Sequence, residues 1–211
     1  MTKRGKSTSV TVPQLAMLLG IGGKIGAGKD TVANYLRDTR GYQVMSMAEP
    51  LKRACQALFL FTDEQMFGTQ EQKATVDDRW GCSPRKALQF LGTDLLRDHL
   101  DEIMPGMGAN VFCQRFRLWY QEQRRLNPQI CVVVPDIRFR NELDMIHELG
   151  GQTIYLHRDH ALPVQESAHI SEQSIDSAVF HYTIGNTSTI PDLHEQVEIA
   201  MTFFEQKTAG V

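Results

Sequence analysis

The chain is poor in several features that would each have pointed elsewhere. Its four cysteines, Cys55, Cys82, Cys113 and Cys131, form no C-x-x-C pair. That argues against a zinc ribbon or a disulfide framework and for a reducing, cytoplasmic setting. Cys55 and Cys131 lie in apolar stretches and read as small core hydrophobes. Neither sign of charge prevails: the net charge of -3 supplies no general pull toward nucleic acid or an anionic membrane. No apolar run approaches the roughly 20 residues of a membrane span. The opening MTKRGKSTSVTVPQ is basic but has no apolar h-region, so no secretory signal is expected. Residues 1–13 read as a flexible tail, with a nucleic-acid or targeting role for Lys3, Arg4 and Lys6 as the alternative. Internal repeats, low-complexity segments and an N-K-x-D guanine-reading motif are all missing.

What is present is an alternation. Strand-like runs at Leu15–Gly20, Tyr42–Met47, Ile130–Val134, Thr153–His157 and Phe180–Ile184 are separated by helical patterns. The helical patterns are Thr31–Asp38, Pro50–Phe61, Pro84–His99, Val111–Leu126, Arg138–Leu149 and Pro191–Gln206, three of them opened by proline. Such an order predicts an α/β fold, a parallel five-stranded sheet between helical layers, with ligands beyond the carboxyl ends of the strands. Thr62–Ser83 and Asp159–Gln173 read as mobile loops, long enough to be functional.

Residues Gly23 to Thr31, GKIGAGKDT, fit the phosphate-binding pattern G-x-x-x-x-G-K. A strand-like run precedes them and a helical one follows. Glycines at Gly23, Gly26 and Gly28 let backbone N–H groups turn toward phosphate oxygens. Lys24 and Ala27 complete the loop, the new helix aims its positive end at the same anion, and Lys29 adds a point charge. Where Ser or Thr usually follows the lysine, this chain has Asp30, then Thr31. A carboxylate beside a triphosphate calls for a cation between them, so Asp30 suggests Mg²⁺; the other reading is an acid that complements the helix dipole.

Further polar groups cluster at strand ends. Pro135-Asp136-Ile137-Arg138-Phe139-Arg140 follows the most β-branched strand. An acid there can hold Mg²⁺ or orient an acceptor, and arginines suit phosphate; a helix cap with solvated arginines is the alternative. Lys52 lies past the second strand. Arg85 and Gln89 are four apart on one helix face, with Thr93 beyond. Arg158 opens a polar loop containing His169, which could cover a bound nucleotide. Phe112 and Trp119 read as core aromatics at helical spacing. Asn186 either reaches an adenine or forms a turn.

Taken in order, GKIGAGKDT, AEPLK, SPRKALQFLGTDLLR, VVVPDIRFRNELD, HISE and IGNTSTIPDL resemble the bacteriophage deoxynucleoside monophosphate kinases over most of the chain. The resemblance implies a P-loop NTPase fold of nucleoside-monophosphate-kinase type, three-layered α/β/α. It further implies one kinase domain over 14–211, with an acceptor-binding region near 48–126 and a lid near 158–175. ATP and Mg²⁺ would be the cofactors and a dNMP the phosphoryl acceptor, in the host cytoplasm if phage-encoded. It implies acceptor- or metal-side roles for Arg85, Gln89, Thr93, Asp136, Arg138 and Glu142, and gives weight to His169 and Glu172. Lys29, Arg85, Asp136 and Arg138 would be catalytic, and Asp30 and Asp136 the metal side. Arg158 and Asn186 would serve ATP, and Lys52 and Phe112 the acceptor. Phe112 stands where the family leads one to expect Trp, which leaves base preference open. A homodimer is compatible with the resemblance; a nucleic-acid or membrane partner is not implied. The rival readings are a P-loop kinase of phosphomevalonate or dephospho-CoA, a non-catalytic nucleotide-binding switch, and a structural role in a phage assembly.

Overall fold

The computed structural model describes residues 17–158 and 175–209. Five parallel strands, β1 (Leu18–Gly23), β2 (Gln43–Val44), β3 (Val132–Ile137), β4 (Gln152–His157) and β5 (Tyr182–Gly185), form one sheet in the order β2-β3-β1-β4-β5. Strands buried on both faces need apolar side chains at every position. Leu19, Ile21, Val133, Ile154 and Leu156 point to one face. There they meet α1 (Lys29–Arg40) and α9 (Ile190–Ala209) through Val32, Leu36, Val197, Met201 and Phe204. Leu18, Val132, Val134 and Tyr155 point to the other, against α7 (Val111–Leu126) and α8 (Arg140–Glu148) through Phe116, Tyr120, Leu143 and Ile146. This is the expected three-layer α/β/α P-loop architecture. No helix of the described residues is long and apolar enough to cross a membrane.

A third, smaller cluster of Cys55, Phe61 and Met66 joins α2 (Glu49–Phe59), α3 (Asp63–Phe67) and α5 (Pro84–Gln89). Here the structure corrects the expected loop over Thr62–Ser83, which carries α3 and α4 (Gln70–Ala74). Each short helix is closed by a capping box: Thr62 with Gln65, and Thr69 with Gln72. Beyond them Asp77 accepts hydrogen bonds from Gln65 Nε2 at 2.8 Å and Arg79 Nη2 at 2.6 Å, and Trp80 Nε1 donates to the Phe59 carbonyl at 2.8 Å.

Three boundaries differ from expectation for local reasons. β1 runs on through Gly20, Gly22 and Gly23 because bulk is supplied from outside: a Cβ on Gly22 would lie 2.3 Å from Phe180. β3 continues through Pro135, where the register against β1 steps from Gly20–Val134 to Gly22–Ile137. The extra residue is a bulge, and it leaves Asp136 half-exposed between buried Pro135 and Ile137. α8 starts at Arg140 rather than Arg138, since the backbone N–H groups of Arg138 and Phe139 turn onto the Glu142 carboxylate at 2.9 and 3.2 Å.

Candidate active site

All five strands end on one edge, which gathers the predicted residues from distant parts of the chain. Central β1 delivers the phosphate loop. Gly23 has φ +136°, and a Cβ there would sit 2.4 Å from the Leu156 carbonyl oxygen. Gly28 has φ +100° and opens α1, with a Cβ position 2.6 Å from Asn186 Nδ2. Both places therefore exclude side chains and let the backbone come close to an anion, while within the loop the Ala27 N–H donates to the Lys24 carbonyl at 3.1 Å. Asn186 is buried and donates to the Ala27 carbonyl at 2.9 Å, while its own N–H bonds the His157 carbonyl at 2.7 Å. It braces the loop from behind. Arg158 Nη1 reaches the Gly26 carbonyl at 3.3 Å.

Lys29 folds over the loop, donating to the carbonyls of Gly23 at 2.8 Å and Lys24 at 3.0 Å. Its Nζ is 3.9 Å from Asp136 Oδ1. Burial lowers the proton affinity of its ammonium, and Asp136 pulls it back up. Lys24 and Asp30 are exposed, and Thr31 is half-buried on the first turn of α1.

The adjoining strand end, β3, supplies the second half. Asp136 Oδ2 accepts from Arg138 Nε and Nη2, both at 2.7 Å. Lys29, Asp136 and Arg138 thus form a chain of alternating charge that leads from the phosphate loop into a cleft of about 690 Å³. Gln89, Thr93, Arg97, Phe112, Phe139 and Glu142 line that cleft, together with Lys52.

Glu142 is buried, and burial pushes its carboxyl up against the pull of its partners. One oxygen takes the Arg138 and Phe139 amides, and the other accepts from Arg97 Nη2 at 2.6 Å. Arg97 also donates to the Ala109 carbonyl at 3.0 Å, and its guanidinium lies 3.8 Å from the Phe139 ring centroid and 5.1 Å from that of Phe112. Arg97 and Phe139 escaped the sequence reading. The signal for Arg97 was a continued spacing of four: Arg85, Gln89, Thr93, Arg97.

That spacing explains a break in the expected helix Pro84–His99. An α-helix turns about 100° per residue, so each step of four overshoots by about 40° and three steps by about 120°. The four side chains would fan off the cleft. Instead α5 passes into a π-type stretch, Phe90–Leu95, before α6 (Leu96–His99); the Leu96 N–H bonds back five residues to Leu91. The wider turn takes up the overshoot, so Gln89, Thr93 and Arg97 all face the 690 Å³ cleft. Arg85 and Gln89 line a second cleft of about 620 Å³, which shares Lys52, Leu88, Gln89 and Arg138 with the first. His169, Glu172 and most of the expected lid lie outside the described residues.

A phosphate loop, an acid–arginine pair at the next strand end and an aromatic, amide-lined cleft beside them suit transfer between two phosphorylated ligands. Comparison with known proteins decides the family. Residues 61–197, more than half of the chain, match the deoxynucleotide monophosphate kinase family. The chain belongs to that family. It is also 49% identical over 183 residues to a protein of Acanthamoeba polyphaga mimivirus named "Putative deoxynucleotide monophosphate kinase", covering 86% of this chain and 94% of the relative. Family membership makes it an ATP-using phosphotransferase whose acceptor is a deoxynucleoside monophosphate. Among solved structures, dephospho-CoA kinase from Campylobacter jejuni is 13% identical with a TM-score of 0.47, covering 90% of this chain and 98% of that one. Shikimate kinase from Acinetobacter baumannii is 16% identical with a TM-score of 0.45, covering 92% and 96%. Likeness of that order carries no argument about the acceptor.

Proposed function

We propose that the β/γ-phosphates of ATP lie on the loop amides and Lys29, and that the dNMP enters through the region near 48–126. Its sugar and base would lie in the 690 Å³ cleft and its phosphate against Arg138, Arg85 and Lys52. The observation that carries this reading is the continuity of Lys29, Asp136 and Arg138 from one ligand site to the other. Lys29 belongs to the donor loop, Arg138 to both clefts, and Asp136 lies between them.

The chemistry asks little of the protein beyond placement. The nucleophile is an oxygen of the acceptor's phosphate, largely dianionic at neutral pH, so no proton has to be removed and no general base is required. Asp136 therefore acts by charge: it orients Arg138 and balances Lys29. Lys29 and Arg138 approach the transferring group from its two sides, where negative charge spreads in a loose transition state. Arg158, held on the loop at Gly26, is a third cation within the same edge. Asn186 serves ATP through the Ala27 carbonyl. Glu142 positions Arg138 and Arg97. Gln89, Thr93 and Phe112 meet the nucleoside. The lid near 158–175 would close over the phosphates and exclude water.

Mg²⁺ fits this donor set. Its usual site in phosphoryl transfer uses one or two carboxylates, waters and the nucleotide's own phosphates rather than an all-protein cage. The half-exposed Asp136 and exposed Asp30, both beside the phosphate loop, match that pattern, and the described residues hold no group of three or more acidic, His or Cys ligands. When bound, the ion would neutralise phosphate charge.

Kinetics of two variants test the assignment. Lys29→Ala should lose turnover without losing the fold, whereas Arg138→Ala should lose kcat/KM for the dNMP with little change in KM for ATP. An unchanged kcat/KM for the dNMP in Arg138→Ala would remove that residue from the acceptor side.

A further inference from the structure

The second cleft gathers four cations, Lys52, Lys73, Arg85 and Arg138, with the amides of Gln65, Gln70 and Gln89, and among the described residues no carboxylate lines it. Lys73 comes from α4, the short helix inside the stretch that looked like a loop. Burial, and after it the charge of Lys73, lower the proton affinity of Lys52, while Asp136 and Asp30 raise it. The same helix orients a third cation, since the Gln70 side chain accepts a hydrogen bond from Arg85 Nη2. Asp136, bonded to Arg138 at 2.7 Å, offsets part of this gathering of like charge, and an anion bound among Lys52, Lys73 and Arg85 would offset the rest.

We infer that α4 is part of the acceptor-phosphate site, with Lys73 as a direct phosphate ligand and Gln70 as the residue that positions Arg85. This rests on the reading that the dNMP phosphate occupies this edge. It adds a specificity element: α4 would distinguish a nucleoside monophosphate from a nucleoside. Its geometry suits the role. Capping boxes fix α3 and α4 as rigid turns, Met66 anchors them in the small apolar cluster, and Lys73 is half-buried at the cleft. The lysine thus projects from a defined frame and not from a mobile loop.

The test is a two-substrate kinetic comparison of wild type, Lys73→Ala, Lys73→Arg and Gln70→Ala, using the dNMP with the highest wild-type kcat/KM. A lost charge-assisted hydrogen bond is worth about 1.5–3 kcal/mol, or about 10- to 150-fold. Lys73→Ala should raise KM for the dNMP at least about tenfold, with KM for ATP within about twofold and an unchanged melting temperature. Lys73→Arg, which keeps the charge, should recover most of the loss, and Gln70→Ala should raise the same KM. Binding of the unphosphorylated deoxynucleoside, measured as competitive inhibition, should be the same in wild type and Lys73→Ala. An unchanged KM for the dNMP in Lys73→Ala, beside a raised one in Arg138→Ala, would overturn the role of α4 and leave the acceptor reading intact. A rise in KM for ATP instead would assign the cations to the donor and overturn the inference. Wild-type inactivity on every dNMP would sink the underlying reading itself.

Discussion

Replacing Glu142 with alanine is the sharpest structural test of how the acceptor side is built. The carboxylate and Arg97 are both almost fully buried, with side chains 6% and 10% exposed, and their contact is 2.6 Å. Removing the acid leaves the Arg97 cation without its charge partner, between the Phe112 and Phe139 rings, and strips the Arg138 and Phe139 amides of their acceptor. An orphaned buried charge costs about 3–5 kcal/mol. For a domain near this size, each 1 kcal/mol lowers the melting temperature by about 2–4 °C, so the loss should be roughly 6–20 °C. Glu142→Gln keeps one acceptor oxygen in the same volume and should lose less. Urea unfolding of wild type and both variants, at an ionic strength where surface pairs are screened, gives the free energies. Because Arg138 is held through its backbone by Glu142, the folded Glu142→Gln protein should also show a raised KM for the dNMP with KM for ATP little changed. A Glu142→Ala protein within about 1 kcal/mol of wild type would refute the reasoning, since the pair would then have been worth no more than a surface contact.

Other outcomes follow from the same geometry. Lys29→Ala should lower kcat by at least about 10²-fold, the range for losing one transition-state donor, with an unchanged unfolding curve; near-normal kcat would take the lysine out of the reaction. Asn186→Ala should destabilise by about 1–3 kcal/mol, leave the Ala27 carbonyl unbonded and raise KM for ATP more than KM for the dNMP; a selective rise in the latter would contradict its place behind the phosphate loop. His147 and His181, with ring centroids 4.3 Å apart, both have their proton affinity lowered by burial, and His181 further by His147. The unfolded chain therefore binds more protons between the two folded values and the ordinary imidazole pKa near 6.5. Their contribution is fully present above about pH 6.5 and is lost as pH falls through the folded values. Unfolding free energies at about pH 7.5 and 5.5 should show that drop in wild type and a smaller one in the His147→Gln, His181→Gln double variant; equal drops would remove the pair from the pH dependence.

Much of this was legible in the sequence because it was local. The phosphate loop carries its own spacing, and strands buried on both faces announce themselves as unbroken apolar runs, as in Val132–Val134. What escaped depended on contacts across the chain. β1 could run through three glycines only because Phe180 and its neighbours fill the space. Arg97 belongs to the cleft through a π-type turn that no period of 3.6 predicts. The helices α3 and α4 could have been read from their Thr-x-x-Gln boxes, a signal passed over because the segment is otherwise polar. For Asn186 and Glu142, named from the sequence as candidates, the contacts themselves were unforeseen. Asn186 holds a carbonyl of the loop, and Glu142 has both oxygens engaged by the protein.

The central claim is phosphoryl transfer from ATP to a dNMP, and one measurement addresses it: ADP production with ATP and Mg²⁺ and, in turn, dAMP, dCMP, dGMP and dTMP. GMP, phosphomevalonate and dephospho-CoA run beside them, with Lys29→Ala as the blank. Turnover with one or more dNMPs, absent in the blank, is the predicted result, and its pattern gives the base preference that Phe112 leaves open. Turnover on phosphomevalonate or dephospho-CoA with silence on every dNMP would contradict the acceptor, and silence on all of them would contradict the kinase.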